Sequence, residues 1–173
     1  PAPENSGIVF KRTDIKKNNT IKANYQNVSS TNLCTVLKNK NNTSISTVEH
    51  LVAAFYVTGI DNILIEVDNA EIPIMDGSSK DFIEIINNAG IKEQSKKRKY
   101  LKVLKEIKIN EGNKHIHLSS ESRSLKVDYE LDYENKLISN QRNTINFLSD
   151  CLKDIYTSRT FCLYKDIEKI KKA

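Results

Sequence analysis

The chain has 173 residues, 38% of them hydrophobic and 28% charged, and a net charge of +5. That length suits one domain of ordinary size or two small ones, and no run approaches the roughly 18 consecutive apolar residues of a membrane-spanning helix. Five Gly and three Pro exclude a collagen-like or Pro/Gly-rich disordered chain, and no heptad repeat persists.

From Ser6 to Ile45, two short β-like runs, Gly7–Arg12 and Thr31–Leu37, alternate with Asn/Lys/Ser-rich turns. Ser46-Thr-Val-Glu49 has the form of a capping box, with Ser46 as N-cap and Glu49 three residues on. Val48, Leu51, Val52 and Phe55 follow at helical spacing, and Gly59 ends that helix. Asn62–Asp68 is a β-branched strand, Pro73 to Gly77 a turn, and Ser79 to Ala89 a second helix with Gly90 beyond its end.

Lys92 to Lys99 has no apolar residue and is the best linker candidate. Beyond it, Tyr100–Ile109, Lys114–Ser119 and Leu125–Tyr133 alternate as a meander with a turn at Glu111-Gly-Asn113, and a short helix is expected from Ser149–Asp150 to Thr157. Strands followed by helices in both halves give an α+β fold of two domains, residues 1–93 and 98–173.

The positive charge invites a nucleic-acid partner, but its distribution argues against one. The basic residues are spread among 22 acids, and the dense cluster at Lys96, Lys97, Arg98 and Lys99 has no interleaved aromatics to form a stacking platform. Cys34, Cys151 and Cys162 are odd in number and form no C-x-x-C pair, and no signal peptide is evident. That pattern predicts reduced thiols in a cytoplasm. The sequons beginning at Asn18, Asn27, Asn41 and Asn42 are expected by chance in so Asn-rich a chain. The first residue is Pro, and the last residues form a Lys-rich, helix-like run from Asp166 to Ala173, so the sequence is expected to be a piece of a longer protein.

Three His offer metal chemistry. His115-Ile-His117 puts two imidazoles on one strand face, where a solvent-facing polar strand is the simpler account because nothing nearby completes a ligand set. Glu49-His50 lies at the first turn of a helix, where the two can flank one small site. An imidazole there can ligate zinc while the carboxylate takes a proton from a metal-bound water. A structural account also exists: a capping glutamate beside a first-turn histidine.

Ser46-Thr-Val-Glu-His-Leu-Val-Ala-Ala54, Gly59-Ile-Asp-Asn62 and Glu71-Ile-Pro-Ile-Met-Asp-Gly-Ser78 resemble, in order and spacing, the signature block of the UDP-3-O-acyl-N-acetylglucosamine deacetylases, the zinc amidohydrolases of lipid A biosynthesis. The resemblance extends to Pro1–Asp14, Asn140-Gln-Arg142, Asn146-Phe147, Ser158–Phe161 and Asp166-Ile-Glu168, covering nearly the whole chain. It implies two-layer β/α sandwich domains, both incomplete here, with a zinc ion, Zn(2+), as cofactor. It further implies His50 as a zinc ligand, Glu49 as general base and Thr160 as a stabiliser of the oxyanion. Leu33, Cys34 and Phe161 would line the substrate site, with Asp76 close to it. The implied substrate is a UDP-linked acylated glucosamine, and the expected enzyme is a cytoplasmic monomer without nucleic-acid or membrane-spanning parts.

One departure matters. The family's H-x-x-x-D zinc pair and its further catalytic His lie downstream of R-T-F, and this chain has no His after His117. The family's first strands and the insert that forms its acyl-chain passage are also missing. Alone, the chain is expected to be an inactive internal fragment. Cys162 and Lys165 stand where Gly and Arg are common in the family. Each implied site residue has a structural alternative: Thr160 as a cap, Phe161 and Leu33 as core, Cys34 as a small buried hydrophobe, Asp76 as a turn former. The rival from another class is a non-catalytic binding module that kept the scaffold and lost the metal.

Overall fold

The computed structural model describes residues 1–120, 124–164 and 167. Strands and helices are mixed in an α+β arrangement, and contacts divide the chain into two units. One comprises Pro1–Lys97 together with the described residues from Lys153 on; the other is Arg98–Leu152.

In the first unit, β1 (Ile8–Arg12) is the centre of a three-stranded sheet. It pairs antiparallel with β2 (Thr20–Lys22) and parallel with β6 (Ile63–Val67), so that Phe10 lies opposite both Ile21 and Ile65. Phe10 and Ile21 are fully buried. A second antiparallel sheet runs β3 (Val28–Ser30), β4 (Val36–Lys38) and β5 (Ser44–Ile45), with Leu37 opposite Ile45 and both buried. Two helices complete the core: α1 (Glu49–Thr58), which buries Leu51, Ala54 and Phe55, and α2 (Lys80–Ala89), which buries Phe82 and Ile83. Each large side chain so buried contributes about 1.5–3 kcal/mol. A one-turn helix, α3 (Lys153–Tyr156), packs Tyr156 against the same core.

Gly59 ends α1 at φ +73°, the left-handed conformation that leaves its N–H free to bond the last-turn carbonyls of Phe55 and Tyr56. Gly90 caps α2 in the expected place. The polar stretch after α2 is tied back to the first residues. Gln94 donates to the Ala2 carbonyl at 2.9 Å, and Glu4 accepts from the Ser95 backbone and hydroxyl at 2.7 and 2.8 Å.

The second unit contains two antiparallel pairs. In β7 (Ile107–Glu111) and β8 (Lys114–Leu118), Glu111 faces Lys114 across Gly112 at φ +59°. The other pair is β9 (Lys126–Asp132) with β10 (Asn140–Asn146). The strand expected over Tyr100–Ile109 is realised only from Ile107. Tyr100, Leu101 and Leu104 are almost wholly exposed, because alternation alone does not make a strand where no partner among the described residues offers its backbone. The helix expected from Ser149 is reduced to the four residues of α3; Ser149 and Asp150 instead close a turn on the Asn146 carbonyl.

The capping box does not form either. The helix starts two residues later than expected, with Val48 at the N-cap in place of Ser46 and no side-chain cap. Ser46 instead bridges to Glu71: its N–H donates to the Ala70 carbonyl at 2.8 Å, and its own carbonyl accepts the Ile72 N–H at 3.1 Å. Its hydroxyl is spent on the Ala70 carbonyl, and that of Thr47 on Glu71 at 2.8 Å. Strand-like pairing of residues 46 and 71 outcompetes the local cap, and Thr47 turns the chain into the helix at φ +59°.

Candidate active site

Because the helix starts at Glu49, that residue and His50 occupy its first turn, both half-buried. The Glu49 carboxylate is free of the capping role and accepts the Thr35 backbone N–H through Oε2 at 3.0 Å. Leu33 and Cys34 immediately precede Thr35. The Leu33 backbone is left-handed at φ +65° and its side chain is exposed, while Cys34 is a half-buried free thiol. An open groove of about 480 Å³ runs past Glu49 and Thr35, walled by Ala23, Tyr25, Val28, Leu37, Val52 and Tyr56. The His50 ring has no hydrogen-bond partner among the described residues. Its backbone carbonyl accepts the Ser79 hydroxyl at 2.9 Å.

Ser79 belongs to a tight turn that gathers the remaining predicted residues. Gly77 N–H closes the turn on the Ile74 carbonyl at 3.0 Å. Asp76 Oδ1 accepts the Ser78 N–H at 2.9 Å and the Ser78 hydroxyl at 2.6 Å. Its Oδ2 accepts Nε and Nη2 of Arg159 at 3.3 and 3.2 Å. The Ser78 hydroxyl, the Ser78 N–H and the Arg159 guanidinium, in that order, hold the Asp76 carboxyl below the ordinary aspartate value of 3.8. The Gly77 carbonyl then accepts the Thr160 N–H at 2.8 Å. Thr160 and Phe161 are exposed.

The fold therefore places Glu49 beside the segment carrying Leu33 and Cys34, and links His50 and Thr160 to one turn that also carries Asp76. Three contributors were not singled out from the sequence: Thr35, Ser79 and Arg159. Thr35 acts through its backbone N–H, which no residue pattern advertises, and Ser79 through a bond to a carbonyl. Arg159 alone had a signal, its place inside the R-T-F motif. His115 and His117 lie on the exposed β8, with His117 Nε2 held 2.6 Å from Glu106. Cys162 is exposed; Lys165, Asp166 and Glu168 lie outside the described residues.

Among the described residues, no group of three or more His, Cys, Asp or Glu is placed to hold a metal ion. A catalytic zinc site takes three protein ligands, so the single imidazole of His50 does not make one. Nor, among the described residues, is any helix long and apolar enough to cross a membrane.

Comparison with known proteins places the chain. The family model for LpxC, UDP-3-O-acyl N-acetylglycosamine deacetylase, matches residues 1–173. Curated proteins named UDP-3-O-acyl-N-acetylglucosamine deacetylase are similar over 99% of this chain: those of Shewanella frigidimarina and Shewanella violacea at 42% identity and that of Idiomarina loihiensis at 40%. The chain spans 56% of the length of each of these relatives. A match along its whole length, with relatives at this identity, means that the chain belongs to the UDP-3-O-acyl N-acetylglycosamine deacetylase family.

Proposed function

We propose that this chain is part of a zinc-dependent amide hydrolase that removes the N-acetyl group from UDP-3-O-acyl-N-acetylglucosamine in lipid A biosynthesis, in the cytoplasm. Family membership supports the reaction class, and the relatives' names supply the substrate. The observation that carries the reading is the first turn of α1, where Glu49 is anchored by Thr35 and flanks a His50 ring that has no hydrogen-bond partner among the described residues.

In this reading Glu49 takes a proton from a water whose oxygen attacks the acetamide carbonyl carbon. The Thr160 hydroxyl donates to the oxygen on which charge builds. The C–N bond then breaks, giving acetate and the free amine. The proton for that amine comes from an acid outside this chain. His50 would supply one ligand to a zinc ion that polarises the carbonyl and acidifies the water, and the remaining ligands would come from residues outside this chain. Leu33, Cys34 and Phe161 line the substrate site. The lysine excess favours an approaching pyrophosphate. The enzyme is a monomer without nucleic-acid partners.

The test is acetate release from UDP-3-O-acyl-N-acetylglucosamine by a polypeptide of the relatives' length carrying this chain. Turnover that is abolished by chelation and restored by zinc is expected. No turnover in the zinc-loaded protein overturns the reading and leaves a non-catalytic binding module.

A further inference from the structure

We propose that Asp76 is a positioning residue that sets Thr160 through Arg159, without itself touching substrate. The inference rests on the deacetylase reading of Thr160 and gives Asp76 a different task from lining the substrate site.

The geometry is specific. Both Asp76 oxygens already accept protein donors, one from Ser78 and the other from Arg159. Ser78 is almost fully buried and its hydroxyl also accepts the Lys80 N–H at 3.2 Å, so the Asp76 carboxylate is anchored to the start of α2. From that anchor the other oxygen reaches the guanidinium next to Thr160, whose own N–H is held by the Gly77 carbonyl. Two adjacent residues of the turn thus grip two adjacent residues of the R-T-F segment. Position 77 lies directly against both residues: a Cβ there would sit at ordinary contact distance, 3.7 Å from Thr160 Cγ2 and 3.8 Å from Arg159 Cβ. The same turn donates from Ser79 to the His50 carbonyl and to the Tyr156 carbonyl, at 2.9 and 3.0 Å. One rigid turn therefore references Thr160 to the helix that carries Glu49 and His50.

A purely stabilising role is the poorer account. The Arg159 side chain is 68% exposed, and ion pairs so placed contribute little to stability. What such a pair does well is fix direction. A hydroxyl that must meet a developing oxyanion is sensitive to that, since a misplacement of about 1 Å can cost about a hundredfold in rate.

The experiment is a double-mutant cycle in a polypeptide of the relatives' length, using Asp76→Asn, Thr160→Ala and the pair. Asp76→Asn keeps the Ser78 acceptor and loses the attraction for Arg159. Its kcat should fall about tenfold to a hundredfold with KM nearly unchanged. Bound zinc should equal that of wild type. In the Thr160→Ala background, Asp76→Asn should cost nothing further. Arg159→Gln breaks the same contact from the other side and should reproduce the result, which keeps the test valid if Asp76→Asn folds poorly. Effects that multiply in the double mutant, or a loss confined to KM, would overturn the inference.

Amide exchange at Thr160 gives a readout independent of turnover and should quicken in Asp76→Asn; unchanged exchange would overturn the positioning claim. A wild-type protein that exchanges as expected but releases no acetate defeats the deacetylase reading instead.

Discussion

The carboxylate of Glu49 accepts the backbone N–H of Thr35 at 3.0 Å. This one bond separates two roles for the glutamate that its sequence position leaves entangled. A capping glutamate turns back to its own helix; this one reaches across 14 residues to the segment behind Leu33 and Cys34. Glu49→Gln retains an oxygen acceptor for Thr35 and should unfold within about 0.5 kcal/mol of wild type. Glu49→Ala leaves the N–H without its partner and should cost about 1 kcal/mol. Urea unfolding of the two variants checks the difference, and equal losses would contradict it.

The Phe55 side chain is 2% exposed, at the centre of the cluster that includes Phe10, Ile21 and Ile72. Phe55→Ala should cost about 3–5 kcal/mol, the sum of lost transfer energy and a cavity that rigid neighbours cannot fill. Tyr56, next in sequence but 55% exposed, should cost far less when truncated. Denaturant midpoints of the two variants give the comparison.

Gly77→Ala tests backbone strain without a clash. The glycine sits at φ +84°, and the added Cβ would meet its nearest neighbour at 3.7 Å, an ordinary contact. The expected loss is about 1–2 kcal/mol, from the left-handed backbone alone. A thermal melt that does not move would show that the turn adopts another conformation.

Acid should loosen the first unit. Arg12, whose side chain is buried, donates to Asp14 through Nε at 2.8 Å and holds that carboxyl below the ordinary value of 3.8; Ser78 and Arg159 do the same for Asp76. Both folded-state values are depressed. Their stabilisation is therefore fully present above about pH 4 and is lost as pH falls through the lower folded values. Unfolding free energy measured from pH 6 to pH 2 should decline at the acid end, and Asp14→Asn should flatten that decline. An unchanged slope in the variant would count against the Arg12 pair.

Elements bounded by strong local signals were legible in the sequence. The α1 and α2 helices end at Gly59 and Gly90 as expected, and β1, β6 and the turn at Gly112 fall where alternation and glycine place them. What was missed depends on partners distant in sequence. β10 is Asn140-Gln-Arg-Asn-Thr-Ile-Asn146, with no apolar alternation to announce it. Pairing with β9 makes it a strand, reinforced by the Arg142–Asp128 ion pair at 2.7 Å. Three-residue β2 has one buried residue, Ile21, too little for periodicity to register. Ser46 shows the opposite error, a strong local motif overruled by pairing with residues 70–72. At the site, Glu49, His50 and Thr160 came from the family's motifs, whereas Thr35, Ser79 and the role of Arg159 emerge only once the chain is folded.

The most direct test of the central claim is to measure zinc content and acetate release together for wild type, Glu49→Gln and His50→Ala, in a polypeptide of the relatives' length. Removing a general base lowers turnover by about 10²–10⁴-fold without removing the metal. Glu49→Gln should therefore keep its zinc and lose its activity, while His50→Ala loses both. Full zinc in His50→Ala, or wild-type turnover in Glu49→Gln, would contradict the assignment of this first helical turn as the hydrolytic site.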